Sequence, residues 1–172
     1  AAHYPDVARR LVLVGTGGLD TPMGHVEMRR LKGLEGEARR EAIVSNLLAH
    51  GNVFKTANGK AYEMMSCLAG LVELHRITGE EQHLKAALNA WADIAARRLY
   101  ITGTTSSHEH FSDDFDLPGM LSSDVGEGCA TVTWLQLTWQ LLRSTGEAKY
   151  AEELERTVFN QPRLLSNPAS YA

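Results

Sequence analysis

The most reactive side chains of the sequence are concentrated in a stretch, 99–126, that shows no helical periodicity. It holds the acids and imidazoles His108, Glu109, His110, Asp113, Asp114, Asp116 and Asp124. Such groups serve in general acid–base catalysis and in metal binding. Because catalytic residues are commonly carried on loops held by a rigid scaffold, this segment is the first candidate for a functional site.

Within this stretch, the triplet His108-Glu109-His110 leaves two interpretations open. The two imidazoles could bind a metal, since histidine is a common zinc ligand. In an extended segment they would share one face, and Glu109 would point to the other, as a residue aimed into a pocket would. The alternative is a solvated polar turn without a function.

A second candidate is Glu127-Gly128-Cys129, at the expected start of an apolar helix. The N-terminus of a helix favours the thiolate form of a cysteine. A carboxylate and a thiolate are half of a zinc site, but zinc requires at least three protein ligands. The alternative is an N-terminal acid followed by a buried cysteine.

Five segments have the apolar spacing of amphipathic helices and must position these residues. They are 37–50, 60–78, 81–98, 129–145 and 147–161. No alternating strand pattern of comparable length is present, so the predicted fold class is all-α.

A short repeat indicates how the helices are arranged. The pentapeptides RITGE (76–80) and RSTGE (143–147) each end one apolar helix and open the next. Glycine can end a helix in the left-handed conformation, and the acid lies near the positive end of the following helix. Two hairpins of one design predict an array of antiparallel pairs, as in an α/α toroid. Since such an array needs more pairs, we expect a fragment whose exposed helical faces could drive self-association.

Residues 1–35 form a poorly defined N-terminal segment, and 36–172 form the helical domain. The segment includes GTGG at 15–18, but Asp20 stands where a dinucleotide fingerprint has its third glycine, and Pro22 follows. A turn is therefore expected there, and no phosphate site.

Composition excludes several classes of partner. The 172 residues carry 17 Lys and Arg against 21 Asp and Glu, a net charge of −4. We expect no nucleic-acid partner, which would require a concentrated basic surface. No apolar run approaches the roughly 18–20 residues of a membrane span, so no membrane association is expected. No export signal is visible, which favours a cytoplasmic location.

Several other conspicuous residues are expected to be structural. Cys67 is predicted to pack in a helix and His75 to be a hydrogen-bonded core histidine. The three tryptophans are predicted to lie in the core more readily than to form exposed stacking surfaces for a ligand ring; they are Trp91, Trp134 and Trp139.

Four motifs in a fixed order resemble glycoside hydrolase family 127, the β-L-arabinofuranosidase-like proteins. They are NGKAYEMMSC at 58–67, LYITG at 99–103, LP at 117–118 and GEGC at 126–129. The resemblance implies part of an (α/α)6 barrel, followed in the family by β-sandwich domains. It also implies retaining hydrolysis of β-L-arabinofuranosides or a related sugar, in which a zinc-bound cysteine thiolate attacks the anomeric carbon.

The resemblance assigns roles to three residues. Glu109, eight positions before Leu117, matches the family's acid/base glutamate, and Glu127 and Cys129 match two ligands of Zn²⁺. The family's adjacent cysteine pair, one nucleophile and one ligand, does not occur in this sequence, so the isolated chain is expected to be inactive. Lys60 stands where a pocket histidine is usual.

Two other functions remain compatible with the helical pattern. One is a non-catalytic α/α module that binds carbohydrate or acts as a scaffold. The other is a different α/α-toroid sugar enzyme, such as an epimerase or an unsaturated glucuronyl hydrolase, which uses His or Asp acid–base pairs and no thiolate.

Overall fold

A computed structural model describes residue 34 and residues 36–56, 59–117 and 126–165 of the chain. Apart from residue 34, the predicted N-terminal segment 1–35, with its turn at 15–18, lies outside this part. The described residues form five α-helices and no strand, which confirms the all-α class. The helices are α1 (Gly36–His50), α2 (Ala61–Thr78), α3 (Glu81–Arg97), α4 (Gly128–Thr145) and α5 (Ala148–Leu165).

The predicted helix ends agree with these bounds to within one residue, except at the end of α5. That helix continues through Pro162 to Leu165. Among the described helices, none has the length and apolar character that a membrane crossing requires.

The two copies of the repeat form the tight turns of two antiparallel hairpins, α2–α3 and α4–α5. Gly79 and Gly146 have φ values of 75° and 71°, which fall in the left-handed region that favours glycine. Their amides donate to the carbonyls of His75 at 2.7 Å and Leu142 at 2.8 Å, and so close each first helix. The predicted hairpin arrangement is confirmed.

The hairpins pack side by side through their first helices. α2 contacts both α3 and α4, α4 also contacts α5, and α1 packs against α3. Because the starts of α2 and α4 both bond to Glu109, these two helices run parallel with their N-termini at one end. The described parts of the two longer connections, 51–56 with 59–60 and 98–117 with 126–127, lie at this same end.

A cluster of three aromatic residues lies in the core where the two hairpins meet. Trp91 stacks on Trp134 with ring centroids 5.4 Å apart and meets Tyr150 edge-on at 4.7 Å. The indole nitrogen of Trp91 donates to Thr138, so its polar edge is also satisfied. The predicted core positions of Trp91 and Trp134 are confirmed.

Two other structural predictions have mixed outcomes. Cys67 is buried as expected, and His75 is half-buried with Nδ1 3.2 Å from the carbonyl oxygen of Glu80. The core prediction for Trp139 is wrong, because its residue is 52% exposed on α4.

A buried arginine anchors the long connection to the end of α3. Arg98 is 1% exposed and donates to Asp93 at 2.7 Å, to Asp114 at 2.6 Å and to the carbonyl of Ser112. Asp93 in turn accepts from the amide of Val53 at 3.0 Å. One cluster of charges thus joins both long connections to the helical scaffold.

The pKa of Asp114 reflects this cluster. Desolvation alone would raise the pKa, but the hydrogen bond and charge of Arg98, with smaller contributions from Asn52 and Arg97, lower it below the ordinary 3.8. A lowered carboxyl pKa in the folded state stabilises the protein above the unfolded-state pKa. That contribution disappears as the pH falls through the folded-state pKa.

The first prediction concerns Arg98. Arg98→Met leaves the buried Asp93 carboxylate with less compensation and is expected to lower the free energy of unfolding by about 3 kcal/mol near pH 7. Arg97→Met is the matched control, because Arg97 also pairs with Asp93 but is 40% exposed; its cost is expected to stay below about 1 kcal/mol. Urea denaturation followed by circular dichroism measures both.

The difference between wild type and Arg98→Met should also shrink as the pH falls below 3.8. Equal losses for the two arginine variants would contradict the role assigned to Arg98.

The repeat reveals an open apolar face on α4–α5. Three apolar residues that are buried on the first hairpin have counterparts 67 positions later on the second hairpin. These counterparts are also apolar, but each is about half exposed. The buried set is Met65, Val72 and Trp91, and the exposed set is Val132, Trp139 and Val158. The next hairpin covers Trp91. By the same arrangement, the exposed apolar face of α4–α5 is a surface against which a further helical pair could pack.

The second prediction is that the isolated chain self-associates through this face at high concentration. Trp139→Lys places a charge at its centre and is expected to weaken association about tenfold or more, measured by analytical ultracentrifugation. Ile101→Lys is the control, since Ile101 is 90% exposed in a loop. A wild-type chain that stays monomeric throughout would contradict this expectation.

Candidate active site

Glu109 lies in a tight turn, so residues 108–110 do not form the extended segment considered from the sequence. Ser107 and His110 exchange backbone hydrogen bonds of 2.9 and 3.1 Å, which leaves His108 and Glu109 as the two loop residues. Their φ values are 49° and 69°, the positive angles that a type I′ turn requires at both positions. The alternation of side chains along a strand therefore does not apply.

The backbone of Glu109 is held on both sides. Its carbonyl accepts from the amide of Ala61 in the first turn of α2 at 2.9 Å. Its amide donates to Oε1 of Glu127, just before α4, also at 2.9 Å. Left-handed backbone costs a non-glycine residue roughly 1–2 kcal/mol, which these hydrogen bonds offset. Glu109 is thus fixed between the N-termini of two parallel helices.

Both carboxylate oxygens of Glu127 bond to the long connection. Oε1 accepts from the Glu109 amide, and Oε2 accepts from the hydroxyl of Ser106 at 3.1 Å. The backbone carbonyl of Glu127 accepts from Thr131 and so begins α4. Ser106 has no recognisable sequence signal, because it stands in a run of threonines and serines, 104–107.

Cys129 lies in the first turn of α4 with its side chain exposed. Its Sγ is 4.0 Å from Oε2 of Glu127, so the structure brings together the two residues predicted to bind zinc. The alternative of a buried Cys129 is wrong.

The geometry of this pair suits a shared metal ion. Sulfur and oxygen ligands on one tetrahedral zinc would be about 3.6 Å apart, close to the observed 4.0 Å. Across the described residues, no three His, Cys, Asp or Glu side chains are grouped to hold a metal. Glu127 and Cys129 therefore provide two donors for a site that needs at least one more, and the zinc site stays a prediction.

The two histidines use their Nδ1 atoms locally. Nδ1 of His110 lies 2.7 Å from the carbonyl oxygen of His108, and Nδ1 of His108 lies 3.0 Å from the Ser107 hydroxyl. His110 also pairs with Lys60 in a backbone bridge. These contacts shape the turn, and the predicted role of the histidines in metal binding is not apparent in them.

Two further residues lie at the site: Glu63, for which sequence reasoning gave no role, and Lys60, which it noted only as standing where a pocket histidine is usual. The Nζ of Lys60 lies 3.0 Å from Oε1 of Glu63 and 3.2 Å from Oε2 of Glu109. Hydrogen bonds to Glu63 and then Glu109 raise the pKa of Lys60, against desolvation, which lowers it. The spacing of three residues between Lys60 and Glu63 is a sequence signal for an ion pair along a helix. The pairing of Lys60 with Glu109 depends on tertiary structure and has no such signal.

Close packing against α5 fixes Gly103 and Gly126, two glycines of the connection. The hydroxyl of Thr157 donates to the carbonyl of Gly103 at 2.9 Å, and Gln161 donates to that of Gly126 at 2.7 Å. A Cβ on Gly103 would lie 2.8 Å from the Cα of Thr157, so only glycine fits there. The connection is therefore built onto the scaffold at the side that faces the candidate site.

These positions allow two kinds of chemistry within one hydrogen-bonded network. The Glu109 carboxyl is 55% exposed and accessible for proton transfer. Beside it lie the oriented carboxylate of Glu127 and the exposed thiol of Cys129, the two donors predicted to bind a metal. The network is Lys60, Glu63, Ser106, Glu109, Glu127 and Cys129.

Comparison with known proteins supports a glycosidase relationship. A family model described as β-L-arabinofuranosidase, glycoside hydrolase family 127 catalytic domain, matches residues 32–167. A non-reducing end β-L-arabinofuranosidase of Bifidobacterium longum subsp. longum is 33% identical over 109 residues. That alignment covers 62% of this chain and 16% of the relative.

Solved structures of similar proteins agree with the fold. A family 127 β-arabinofuranosidase, BT3674, superposes with a TM-score of 0.57 at 31% identity. A family 127 β-L-arabinofuranosidase from Geobacillus stearothermophilus T6 gives 0.55 at 29% identity. Each superposition covers 60% of this chain and 16% of the other.

The chain therefore spans about one sixth of the length of these relatives. The family match extends over most of the helical domain and includes Glu109, Glu127 and Cys129. The resemblance stated from the four sequence motifs is thereby confirmed, and the chain belongs to glycoside hydrolase family 127.

Proposed function

We propose that this chain is part of a retaining, zinc-dependent glycoside hydrolase that acts on β-L-arabinofuranosides or a related sugar. One observation carries the proposal: the Glu109 amide bonds to the Glu127 carboxylate, whose other oxygen lies 4.0 Å from the Cys129 sulfur. A proton-transfer group and two metal donors are thus coupled at the shared end of α2 and α4.

In this proposal Glu109 acts twice. When a thiolate attacks the anomeric carbon, the glycosidic bond breaks and the leaving oxygen takes the proton of Glu109. The Glu109 carboxylate then removes a proton from water, which attacks the same carbon and releases the thiolate. Two displacements at one carbon give net retention of configuration, although a thiolate replaces the usual second carboxylate.

Glu127 and Cys129 would hold the zinc ion in this scheme. A bound zinc ion supplies positive charge that keeps coordinated thiols deprotonated. The contribution of this chain is to orient one carboxylate donor, through Ser106 and the Glu109 amide, beside an accessible sulfur.

The nucleophile is proposed to come from residues that this sequence does not contain. Its two cysteines are Cys67 and Cys129, which are not adjacent. Cys67 is buried in α2, and Cys129 is assigned to the metal. The isolated 172-residue chain is accordingly proposed to be inactive.

The third prediction concerns Glu109 in the longer protein that contains this chain. Glu109→Gln keeps the backbone hydrogen bonds but cannot transfer a proton, so kcat for methyl β-L-arabinofuranoside is expected to fall about 10²–10⁴-fold. Glu155→Gln, an exposed change on α5, is the control. Unchanged turnover in Glu109→Gln, or robust hydrolysis by the isolated chain, would contradict the proposal.

The fourth prediction concerns zinc. The longer protein is expected to retain one zinc ion per chain after dialysis, and Cys129→Ser to weaken zinc binding about tenfold or more. Metal analysis by mass spectrometry measures the content, with Cys67→Ala as the control.

Zinc also separates this proposal from its alternatives. A non-catalytic module, or a toroid enzyme with His or Asp acid–base pairs, would show neither stoichiometric zinc nor a Cys129 effect.

A further inference from the structure

The backbone and the side chain of Glu109 are held by different partners. Hydrogen bonds to Ala61 and Glu127 fix the backbone. They leave the side-chain torsions free, and the side chain is 55% exposed. Confining a glutamate side chain costs on the order of 1.5–2 kcal/mol in rotamer entropy, so its orientation requires a specific contact.

Lys60 provides that contact from a fixed position. Its side chain is 17% exposed, and its Nζ lies 3.2 Å from Oε2 of Glu109. Its backbone immediately precedes α2 and pairs with His110, on the far side of the turn from Ser107. The lysine and the turn are therefore parts of one local structure.

Glu63 holds the lysine in turn. Its Oε1 lies 3.0 Å from Nζ of Lys60, one helical turn away, and its side chain is 22% exposed. Its Oε2 is buried and has no hydrogen-bond partner among the described residues. A carboxylate with so little access to water strongly favours a nearby ammonium, which keeps Lys60 at this end of α2.

We propose that Lys60, anchored by Glu63, is a positioning residue for Glu109 in the reaction proposed above. The ammonium holds Oε2 and leaves Oε1 to face the leaving-group oxygen. This inference rests on the proposed function, because it assigns Glu109 the transfer of a proton.

A positioning role predicts a dependence on the leaving group. Methyl β-L-arabinofuranoside has a poor leaving group that needs protonation, whereas 2,4-dinitrophenolate departs without it. Misplacing an acid by about 1 Å can cost about 10²-fold in rate. Loss of a purely structural residue would instead slow both substrates alike.

The experiment compares kcat and KM on these two substrates in the longer protein that contains this chain. Lys60→Met is expected to lower kcat/KM, which reports the step that breaks the glycosidic bond, about 10²-fold for the methyl glycoside and only a few-fold for the dinitrophenyl glycoside. Lys60→Arg should recover most of the loss, and Glu63→Gln should show the same pattern more weakly. Lys149→Met is the control, since Lys149 also pairs with a glutamate, Glu147, but lies at the turn of the α4–α5 hairpin, at the opposite end of α4 from the candidate site.

Hydrogen exchange in the 172-residue chain tests whether the turn itself survives. The Glu109 amide bonds to Glu127 and not to Lys60, so its protection should be the same in Lys60→Met as in wild type. Lost protection would show that Lys60 maintains the turn, and would overturn a role limited to the side chain.

Equal losses on both substrates, or no loss on either, would also overturn the role of Lys60. Failure of the proposed function has a different signature, in which Glu109→Gln itself shows no preference for good leaving groups.

Discussion

The hydrogen bond from the Glu109 amide to the Glu127 carboxylate is the constraint on which the candidate site depends. It crosses from the turn at the start of α2 to the residue that begins α4, and so joins two hairpins that otherwise meet through their cores. Because the same carboxylate lies beside the Cys129 sulfur, the bond fixes the separation between the backbone of Glu109 and the two candidate metal donors. Both helices must be correctly packed before these groups can meet.

The scaffold and the candidate site are stabilised by different kinds of interaction. Aromatic packing of Trp91, Trp134 and Tyr150 sets the distance between the hairpins. The charges around Arg98 fix where the long connection leaves α3. In the described part of that connection, the candidate site residues Ser106, Glu109 and Glu127 all follow Gly103. A strained backbone at His108 and Glu109 is tolerated because hydrogen bonds from three sides determine it.

Helix positions could be predicted from sequence because apolar periodicity and the capping glycines are local signals. The pairing of Glu127 with Cys129 was also predictable, since two residues apart at a helix start they can hardly separate. The turn at 108–109 was not, because neither residue favours a positive φ and its hydrogen-bond partners lie at Ala61 and Glu127. The contact between Lys60 and Glu109 could not be predicted for the same reason, because it joins residues far apart in the chain.

The side-by-side arrangement of the hairpins has a consequence for synthesis on the ribosome. The nascent α2–α3 hairpin emerges before α4 and α5. Met65 and Trp91 are then exposed, since the aromatic partners of Trp91 lie on α4 and α5. At ordinary translation speeds this apolar surface stays uncovered for on the order of several seconds. A chaperone that binds aromatic helical surfaces would bind the nascent chain most readily during that interval. Substitutions that slow translation between α3 and α4 would lengthen the interval.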